Sequence, residues 1–198
     1  MTTVVLMVRH ASHDRLGRIL CGRMDGVRLS EQGLHEAEDL GRRLAGRRIA
    51  AVYCSPLERA RQTAAPIAQG QALEVEVDPE LNEIDFGAWT GKSFDELHAD
   101  PDWPTWNRQR GSARPPGGES MAECQARLVL ALDRLRERHP NHEVALVSHS
   151  DVIKAAIAHV MGLSLDHYDR FEISPGSVST LVMGDWGAKV QTLNEAAS

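Results

Sequence analysis

The sequence predicts an α/β protein, with helices on both faces of a mostly parallel central sheet in a three-layer α/β/α arrangement. Short, continuous apolar runs such as Val4 to Val8 and Val144 to Val147 have the length and β-branched content of strands buried on both faces. Such runs alternate with segments of helical apolar spacing. This alternation is the order that builds parallel sheets from β-α-β units.

The first strand is followed by a loop, a helix and a second strand. Residues 11–29 are polar and glycine-punctuated, without a clear period, and we expect a long loop there. Ser30 is a suitable N-cap for a helix that the apolar spacing continues to Gly46. The apolar run 49–53 predicts the second buried strand.

The second strand leads directly into another helix. Ser55 can cap this helix and Pro56 suits its first position, so a helix is predicted over 57–69. Apolar residues then alternate with acids over 73–77, which predicts a half-exposed edge strand.

Residues 81–118 interrupt the alternation of strands and helices. The segment is rich in Gly and Pro, carries three of the four tryptophans, and holds one short helix that Ser93 would cap. Long excursions from a rigid scaffold often form substrate walls. We therefore expect a flap whose aromatic side chains mostly pack on the core while part of it borders a site.

The remaining chain returns to helices and strands. A long helix is predicted over 119–139, a buried strand over 144–147, and a helix over 151–161 with Ser150 as its N-cap. Two short strands at about 178–183 and 188–193 are expected to form a hairpin.

One domain spanning 1–198, with the flap at about 81–118 as its excursion, accounts for the whole pattern. The turn of the final hairpin would lie at 184–187.

Composition limits the classes of partner. The net charge of −6 argues against a general nucleic-acid or membrane surface, so an anion site must be a local cluster of positive charge. No apolar stretch approaches the ~20 residues of a membrane span, and no signal-peptide pattern opens the sequence. The three cysteines are widely spaced and fit a reduced, cytoplasmic compartment. Tryptophans that remain exposed would suggest a homodimer contact.

Three predicted strands end in residues suited to binding an anion. The first ends in Arg9 and His10, the second leads into a helix that carries Arg59, and a later one ends in His149. If the sheet is parallel, these ends share one edge, where ligands of open α/β sheets bind. Arginine forks and helix N-termini suit phosphate oxygens. Arg61 would point away from Arg59 into solvent.

A histidine in a phosphate pocket suggests a covalent mechanism, which also needs an acid for the leaving oxygen. The candidates lie in the segment 82–87, where Glu83 and Asp85 stand among apolar residues. Burial tends to keep a carboxylic acid protonated. Composition alone does not decide between the two carboxylates.

The chain resembles the histidine phosphatase superfamily, the group that includes phosphoglycerate mutases and many small phosphatases. The resemblance covers nearly the whole chain and implies a phosphoglycerate mutase-like fold. Five stretches carry it, in order: Val8–His10, Ser55–Ala64, Leu81–Gly91, Gly117–Ser120 and Val147–His149.

The resemblance implies a role for each core residue. His10 would attack phosphorus and become phosphohistidine, while Arg9, Arg59 and His149 would hold the phosphoryl oxygens. Glu83 would protonate the leaving alkoxide and then assist the attacking water. Neither a metal nor another cofactor is expected, because positive side chains supply the charge that Mg²⁺ supplies elsewhere.

The chain departs from the family pattern in the residues around the phosphate cradle. Ala11 and Ser150 replace glycines, which makes Ala11 a place to look for backbone strain. Ser150 could donate its hydroxyl to phosphate. His13 and Arg23 are further candidates for contacts with the substrate.

Four readings of the function are weighed. The first is a phosphomonoesterase acting on a small metabolite, and the second is a phosphoglycerate mutase. In the family that the chain resembles, the mutases are longer and have a more basic stretch after the acidic residue. This chain lacks both features, so we favour the phosphatase. A non-catalytic phosphate sensor is a third reading, although all five core residues are present. Relatives that act on protein phosphohistidine are the fourth, but they are shorter and lack so large a flap.

Overall fold

The computed structural model describes residues 1–196, and a single sheet of six strands lies at the centre of that range. Its strands are β1 (Thr2–Arg9), β2 (Ile49–Cys54), β3 (Val75–Val77), β4 (Glu143–Ser148), β5 (Val178–Gly184) and β6 (Gly187–Glu195). They lie in the order β3-β2-β4-β1-β5-β6. The first four in this order are parallel and the last two antiparallel, so the mostly parallel sheet is confirmed.

Helices cover both faces of this sheet. They are α1 (Glu31–Leu44), α2 (Glu58–Gly70), α3 (Phe94–His98), α4 (Trp103–Arg108), α5 (Met121–Arg138) and α6 (Ser150–Met161), with short 3₁₀ turns at Pro79–Leu81, Gly87–Trp89 and Leu165–Arg170. Helices α1 and α2 pack on one face, and α5, α6 and the flap pack on the other. The three-layer α/β/α prediction is confirmed.

Strand β1 shows why its sequence is apolar without alternation. Leu6 and Val8 belong to the core beneath α1 and α2, whereas Val5 and Met7 belong to the core beneath α5 and α6. All four side chains are fully buried. Because both faces of the strand are covered, both sets of alternating positions must be apolar.

Two predicted helix starts are wrong in detail. Helix α2 begins at Glu58 with Leu57 as its N-cap, so Pro56 precedes the helix instead of opening it. Helix α6 begins at Ser150, and its N-cap is His149, without a side-chain cap bond. The Ser55 hydroxyl contacts the ring of His149 and so faces the carboxyl edge of the sheet.

The flap packs mainly through its aromatic side chains. Trp89 and Trp106 are fully buried and Trp103 is nearly so, with Trp89 edge-to-face against both of the others. The flap tryptophans therefore bury their area within their own chain and supply no exposed surface for a subunit contact. Trp186, at the turn of the β5–β6 hairpin, is the exposed tryptophan.

Four predicted elements differ from the observed ones by one or two residues at their ends. The edge strand expected at 73–77 contains only Val75–Val77. The long helix expected from 119 starts at Met121, where Ser120 and Glu123 form a capping box. Both strands of the final hairpin extend beyond the predicted ends. No helix within residues 1–196 has the length and apolarity to cross a membrane.

Helix α1 packs its first turns against the loop that follows β1, and a glycine permits the close approach. A Cβ atom added at Gly33 would lie 1.9 Å from the carbonyl oxygen of Ser12. The backbone N–H of Ser30 donates to that same carbonyl at 3.0 Å. The position of residues 11–13 thus depends on the absence of a side chain at Gly33.

We predict that Gly33→Ala lowers the free energy of unfolding, by roughly 1–3 kcal/mol, because backbone must move to admit the methyl group. An exposed helical Gly→Ala change would instead stabilise by up to about 1 kcal/mol, so the sign of the change is diagnostic. Urea denaturation measures it. Gly46→Ala is the control, since nothing lies within 4 Å of a Cβ at Gly46. A Gly33→Ala variant at least as stable as wild type would contradict the packing.

Candidate active site

His10 follows the last residue of β1 and is almost completely buried. Its Nδ1 lies 2.8 Å from the carbonyl oxygen of Ala11. Because a carbonyl oxygen can only accept, Nδ1 carries the proton and the lone pair is on Nε2. Burial and the charges of Arg59 and Arg9 hold the pKa of His10 well below its ordinary value. The ring is therefore neutral at physiological pH, which is the form that can act as a nucleophile.

Two guanidinium groups face the same pocket, and each is anchored on one side by a backbone carbonyl. Arg9 Nη1 donates to Ile173 O at 2.6 Å, and Arg59 Nη2 donates to Gly22 O at 2.7 Å. Arg9 Nε and Arg59 Nε and Nη1 are buried and find no partner among the described residues. Unpaired buried donors are costly. An oxyanion with several acceptor oxygens would satisfy all three.

His149 reaches the site because β4 lies between β1 and β2. In the parallel pairing Ser148 is opposite Arg9, so His149 and His10 extend together from adjacent strands, with ring centroids 5.1 Å apart. His149 Nε2 is 2.8 Å from the Ser55 hydroxyl oxygen, which follows β2. Its buried Nδ1 has no hydrogen-bond partner within residues 1–196. Burial and the charge of Arg59 lower the pKa of His149.

Glu83 brings a carboxyl group to this edge from the start of the flap. Its side chain is 13% exposed, and Oε2 lies 3.9 Å from His149 Nδ1. Burial and the charge of Asp151 raise the pKa of Glu83 to about 7, against the opposing effect of the Ile84 N–H bond to its carboxylate. Asp85, the competing carboxylate, is 45% exposed and accepts the N–H of Gly87. Glu83 is therefore the carboxyl group placed to exchange a proton near neutral pH.

These residues surround a cavity of about 310 Å³. Arg9, His10, Arg59 and Glu83 line it directly, whereas His149 is fully buried behind them. Flap side chains form part of the wall, as the sequence predicted; they are Phe86, Phe94, Trp103, Asn107 and Arg110. Within residues 1–196, no group of three His, Cys, Asp or Glu side chains is arranged to hold a metal ion.

Comparison with known proteins supports the assignment that this geometry suggests. The family model of the histidine phosphatase superfamily (branch 1) matches residues 5–196. The chain belongs to the histidine phosphatase superfamily. It is 31% identical over 194 residues to phosphoserine phosphatase 1 of Hydrogenobacter thermophilus, covering 96% of this chain and 91% of that protein.

Two further relatives of this histidine phosphatase share most of its length. An adenosylcobalamin/alpha-ribazole phosphatase of Escherichia coli is 29% identical over 171 residues, covering 85% of this chain and 84% of the relative. The structure of a mycobacterial glucosyl-3-phosphoglycerate phosphatase superposes with a TM-score of 0.90 at 26% identity, over 99% of this chain and all of that one. The relatives named here are phosphatases, so the chain is an enzyme of the phosphatase type.

The three additional residues proposed for substrate contact have different outcomes. His13 lines the cavity, and burial lowers its pKa to about 4, so its ring is neutral. Ser150 also lines the cavity. Arg23 does not: its guanidinium donates to the carbonyl oxygen of Glu83 at 2.7 Å and to the carboxylate of Glu119 at 3.1 Å. Its position supports the loop that carries the acid.

Ala11 fits this histidine phosphatase without backbone strain. Among the described residues, non-glycine positions with positive φ are confined to Ala72, Asn141 and Asn194. Ala11 is fully buried, and its N–H donates to Thr63 Oγ1 at 3.0 Å. Thr63 lies one turn after Arg59 on α2 and donates its hydroxyl to the Arg59 carbonyl. Ala11 therefore carries no backbone strain, and Thr63 ties the loop after His10 to the helix that carries Arg59.

Arg127 is a supporting residue that the sequence did not single out. It lies on α5, and its guanidinium donates to the carbonyl oxygens of Glu80, Asn82 and Glu83 and to the carboxylate of Glu119. Three of these five bonds hold the backbone around Glu83 directly, and the other two hold Glu119. The stretch Gly117–Ser120 contained part of this signal, because it places Glu119 just before the helix that carries Arg127.

We predict that inorganic phosphate or vanadate raises the Tm, because an oxyanion binds the buried donors of the folded state alone. At 100 times its Kd the ligand stabilises by about 2.7 kcal/mol, which corresponds to roughly 5–10 °C for a chain of this size. Differential scanning fluorimetry measures the shift.

The matched variants are Arg59→Met and Arg61→Met. Arg59 should be needed for most of the shift. Arg61 is exposed, donates to the carbonyl of Pro56 just before its own helix, and should be dispensable. Equal shifts in both variants would show that the oxyanion binds elsewhere.

Proposed function

We propose that this chain hydrolyses phosphomonoesters of small metabolites through a phosphohistidine formed on His10. The observation that carries the proposal is the bond from His10 Nδ1 to the Ala11 carbonyl. It leaves Nε2 with its lone pair in a cavity lined by Arg9 and Arg59. A neutral imidazole beside fixed positive charge is suited to attack on a bound phosphoryl group.

In the first step, Nε2 of His10 attacks phosphorus and the bond from phosphorus to the ester oxygen breaks. Arg9 and Arg59 hold non-bridging oxygens while charge shifts onto them. His149 lies behind this lining, and we assign its unpartnered Nδ1 to the remaining oxygen. The proton of Glu83 passes to the leaving oxygen, so that an alcohol departs and Glu83 becomes a carboxylate. The products of this step are the alcohol and phosphohistidine.

In the second step, the carboxylate of Glu83 takes a proton from a water that attacks the same phosphorus. The bond from phosphorus to Nε2 breaks, inorganic phosphate leaves, and His10 returns to its neutral form. A pKa of about 7 suits Glu83 to both tasks, since the group gives and takes a proton near neutral pH.

The size of the cavity supports a small-molecule substrate. Its volume of about 310 Å³ is at the lower end of the range for small-molecule sites. The named relatives act on phosphoserine, alpha-ribazole phosphate and glucosyl-3-phosphoglycerate. What these share is one scissile phosphomonoester, which is the class we propose here.

The setting we propose follows the sequence-based expectations. Residues 1–198 act as one catalytic domain in which the flap at 81–118 closes one side of the site. A reducing, cytoplasmic compartment suits the three cysteines, each a free and buried thiol.

We predict that His10→Ala abolishes turnover of 4-nitrophenyl phosphate, because it removes the neutral imidazole whose Nε2 lone pair is the proposed nucleophile. The assay is release of nitrophenolate, with circular dichroism to verify folding. His35→Ala is the control, since His35 is exposed on α1. Normal turnover by His10→Ala would exclude the mechanism.

We predict that Glu83→Gln reduces kcat/KM for an alkyl phosphate by about 100-fold or more, and much less for 4-nitrophenyl phosphate. The alkoxide needs a proton as it leaves, whereas nitrophenolate does not. Equal losses on the two substrates would show that Glu83 is not the acid.

The pH profile provides an independent measurement of the same role. The pKa of Glu83 is raised, so the acid is protonated below about 7 and loses its proton above it. In the wild type, kcat/KM for the alkyl phosphate should fall as pH rises through about 7. This fall in kcat/KM above about pH 7 should be absent from the profile of Glu83→Gln.

A further inference from the structure

The cavity has a second charged pair, beyond the residues of the phosphate cradle. Arg110 of the flap and Asp151 of α6 both line it, and Arg110 Nη1 donates to Asp151 Oδ2 at 3.0 Å. Asn107 and Tyr168 line the same part of the wall, and Asn107 Oδ1 accepts from both Arg110 Nη2 and the Tyr168 hydroxyl. We call these four residues the outer wall.

The carboxylate of Asp151 neutralises the charge of Arg110. The side chain of Arg110 is 5% exposed and lies between two rings, 4.3 Å from the centroid of Trp106 and 3.9 Å from that of Tyr168. Removing one partner of a buried ion pair leaves an uncompensated charge, which is strongly unfavourable. If Arg110 turned to a substrate anion, the carboxylate of Asp151 would lose its counterion beside that anion, which is unfavourable.

Few positive charges in the cavity remain available to a substrate anion. Of the groups lining the cavity, His10 and His13 are neutral because burial lowers their pKa values. Arg9 and Arg59 are cations without a carboxylate partner among the described residues, and both belong to the phosphate cradle. A phosphate dianion matches these two charges.

A second negative charge on the substrate would find no counterion at the outer wall. It would instead approach the carboxylate of Asp151, which is 20% exposed. Like charges brought together in a site of low dielectric reduce affinity and so provide specificity. Arg15 and Arg18, in the loop after β1, are exposed and fall outside the cavity lining.

We propose that the outer wall selects phosphomonoesters whose phosphate is their only anionic group and whose alcohol part is uncharged and able to form hydrogen bonds. This inference rests on the proposed function and names its substrate class. Asp151 and Ser150 offer an acceptor and a hydroxyl to such a group, while Ile19, Leu20 and Phe94 cover its carbon frame.

The same charge distribution bears on the mutase reading. A phosphoglycerate mutase must hold a substrate carboxylate and, during transfer, a second phosphate. Both would be placed beyond the cradle, where Asp151 already neutralises Arg110. The outer wall thus favours release of the alcohol and hydrolysis over return of the phosphoryl group to an anionic acceptor.

The test compares substrates that differ in one charge. Glycerol 3-phosphate and 3-phosphoglycerate share a three-carbon chain and differ in a hydroxymethyl or a carboxylate group. The 4-carbamoyl and 4-carboxy derivatives of phenyl phosphate form an aromatic pair of nearly equal shape. We expect kcat/KM to favour the uncharged member of each pair by about tenfold or more.

The variant Asp151→Asn releases the charge of Arg110 while keeping the shape of the side chain. The ratio of kcat/KM values, uncharged over charged, should fall at least about tenfold. The ratio is compared because the charge of Asp151 also raises the pKa of Glu83. That effect is the same for both members of a pair and cancels in the ratio. Glu76→Gln is the matched control: it releases Arg138 from its carboxylate away from the cavity lining and should leave the ratio unchanged.

The outcomes separate the two proposals. Absence of hydrolysis of all four esters would contradict the proposed function itself. Hydrolysis with no preference, or with a preference for the carboxylates, would overturn selection by charge and leave the function standing. A ratio that Asp151→Asn does not change would show that the outer wall is not its source. The wild-type ratio stands as a test even if the variant fails to fold.

Discussion

The site depends on one hydrogen bond, from His10 Nδ1 to the carbonyl oxygen of Ala11. It fixes the tautomer, orients the ring, and leaves Nε2 as the lone pair that faces the cavity. The bond in turn needs the loop after β1 to keep its position. Thr63 holds that loop from α2, and the missing side chain of Gly33 lets α1 pack against it. The fold thus positions the His10 ring through two contacts of the loop after β1, one with the Thr63 hydroxyl and one with the backbone of α1 at Gly33.

Burial produces the protonation states that the proposed mechanism requires of its nucleophile and its acid. In a dry site the charged form of any group is disfavoured, so an imidazole loses its proton and a carboxyl group keeps one. His10 is therefore neutral and Glu83 has a pKa of about 7. Arg9 and Arg59 remain charged there, each with one side of its guanidinium on a backbone carbonyl. The opposite tendencies of acid and base in one environment make a single pocket suited to proton transfer and to nucleophilic attack.

The sequence allowed the proximity of the five core residues to be predicted, because Arg9, His10 and His149 stand at strand ends and parallel strands bring their ends to one edge; their catalytic roles stay a prediction. Contacts between distant segments could not be predicted. Arg23 was expected at the substrate but bonds the carbonyl of Glu83, 60 residues away. Arg110 and Asp151 are 41 positions apart, and no local pattern relates them. The observed starts of α2 and α6 differ from the predicted ones. The Ser55 hydroxyl contacts the ring of His149 across the sheet edge, and neither side chain caps its helix.

The most direct measurement is the position of the phosphoryl group on the enzyme. Rapid mixing with 4-nitrophenyl phosphate, followed by alkaline quenching, preserves phosphohistidine for ³¹P NMR and for peptide mapping by mass spectrometry. The bond from Nδ1 to Ala11 predicts a phosphoryl group on Nε2 of His10. A phosphoryl group on Nδ1, on another histidine such as His13, or on no residue during active turnover would contradict this mechanism.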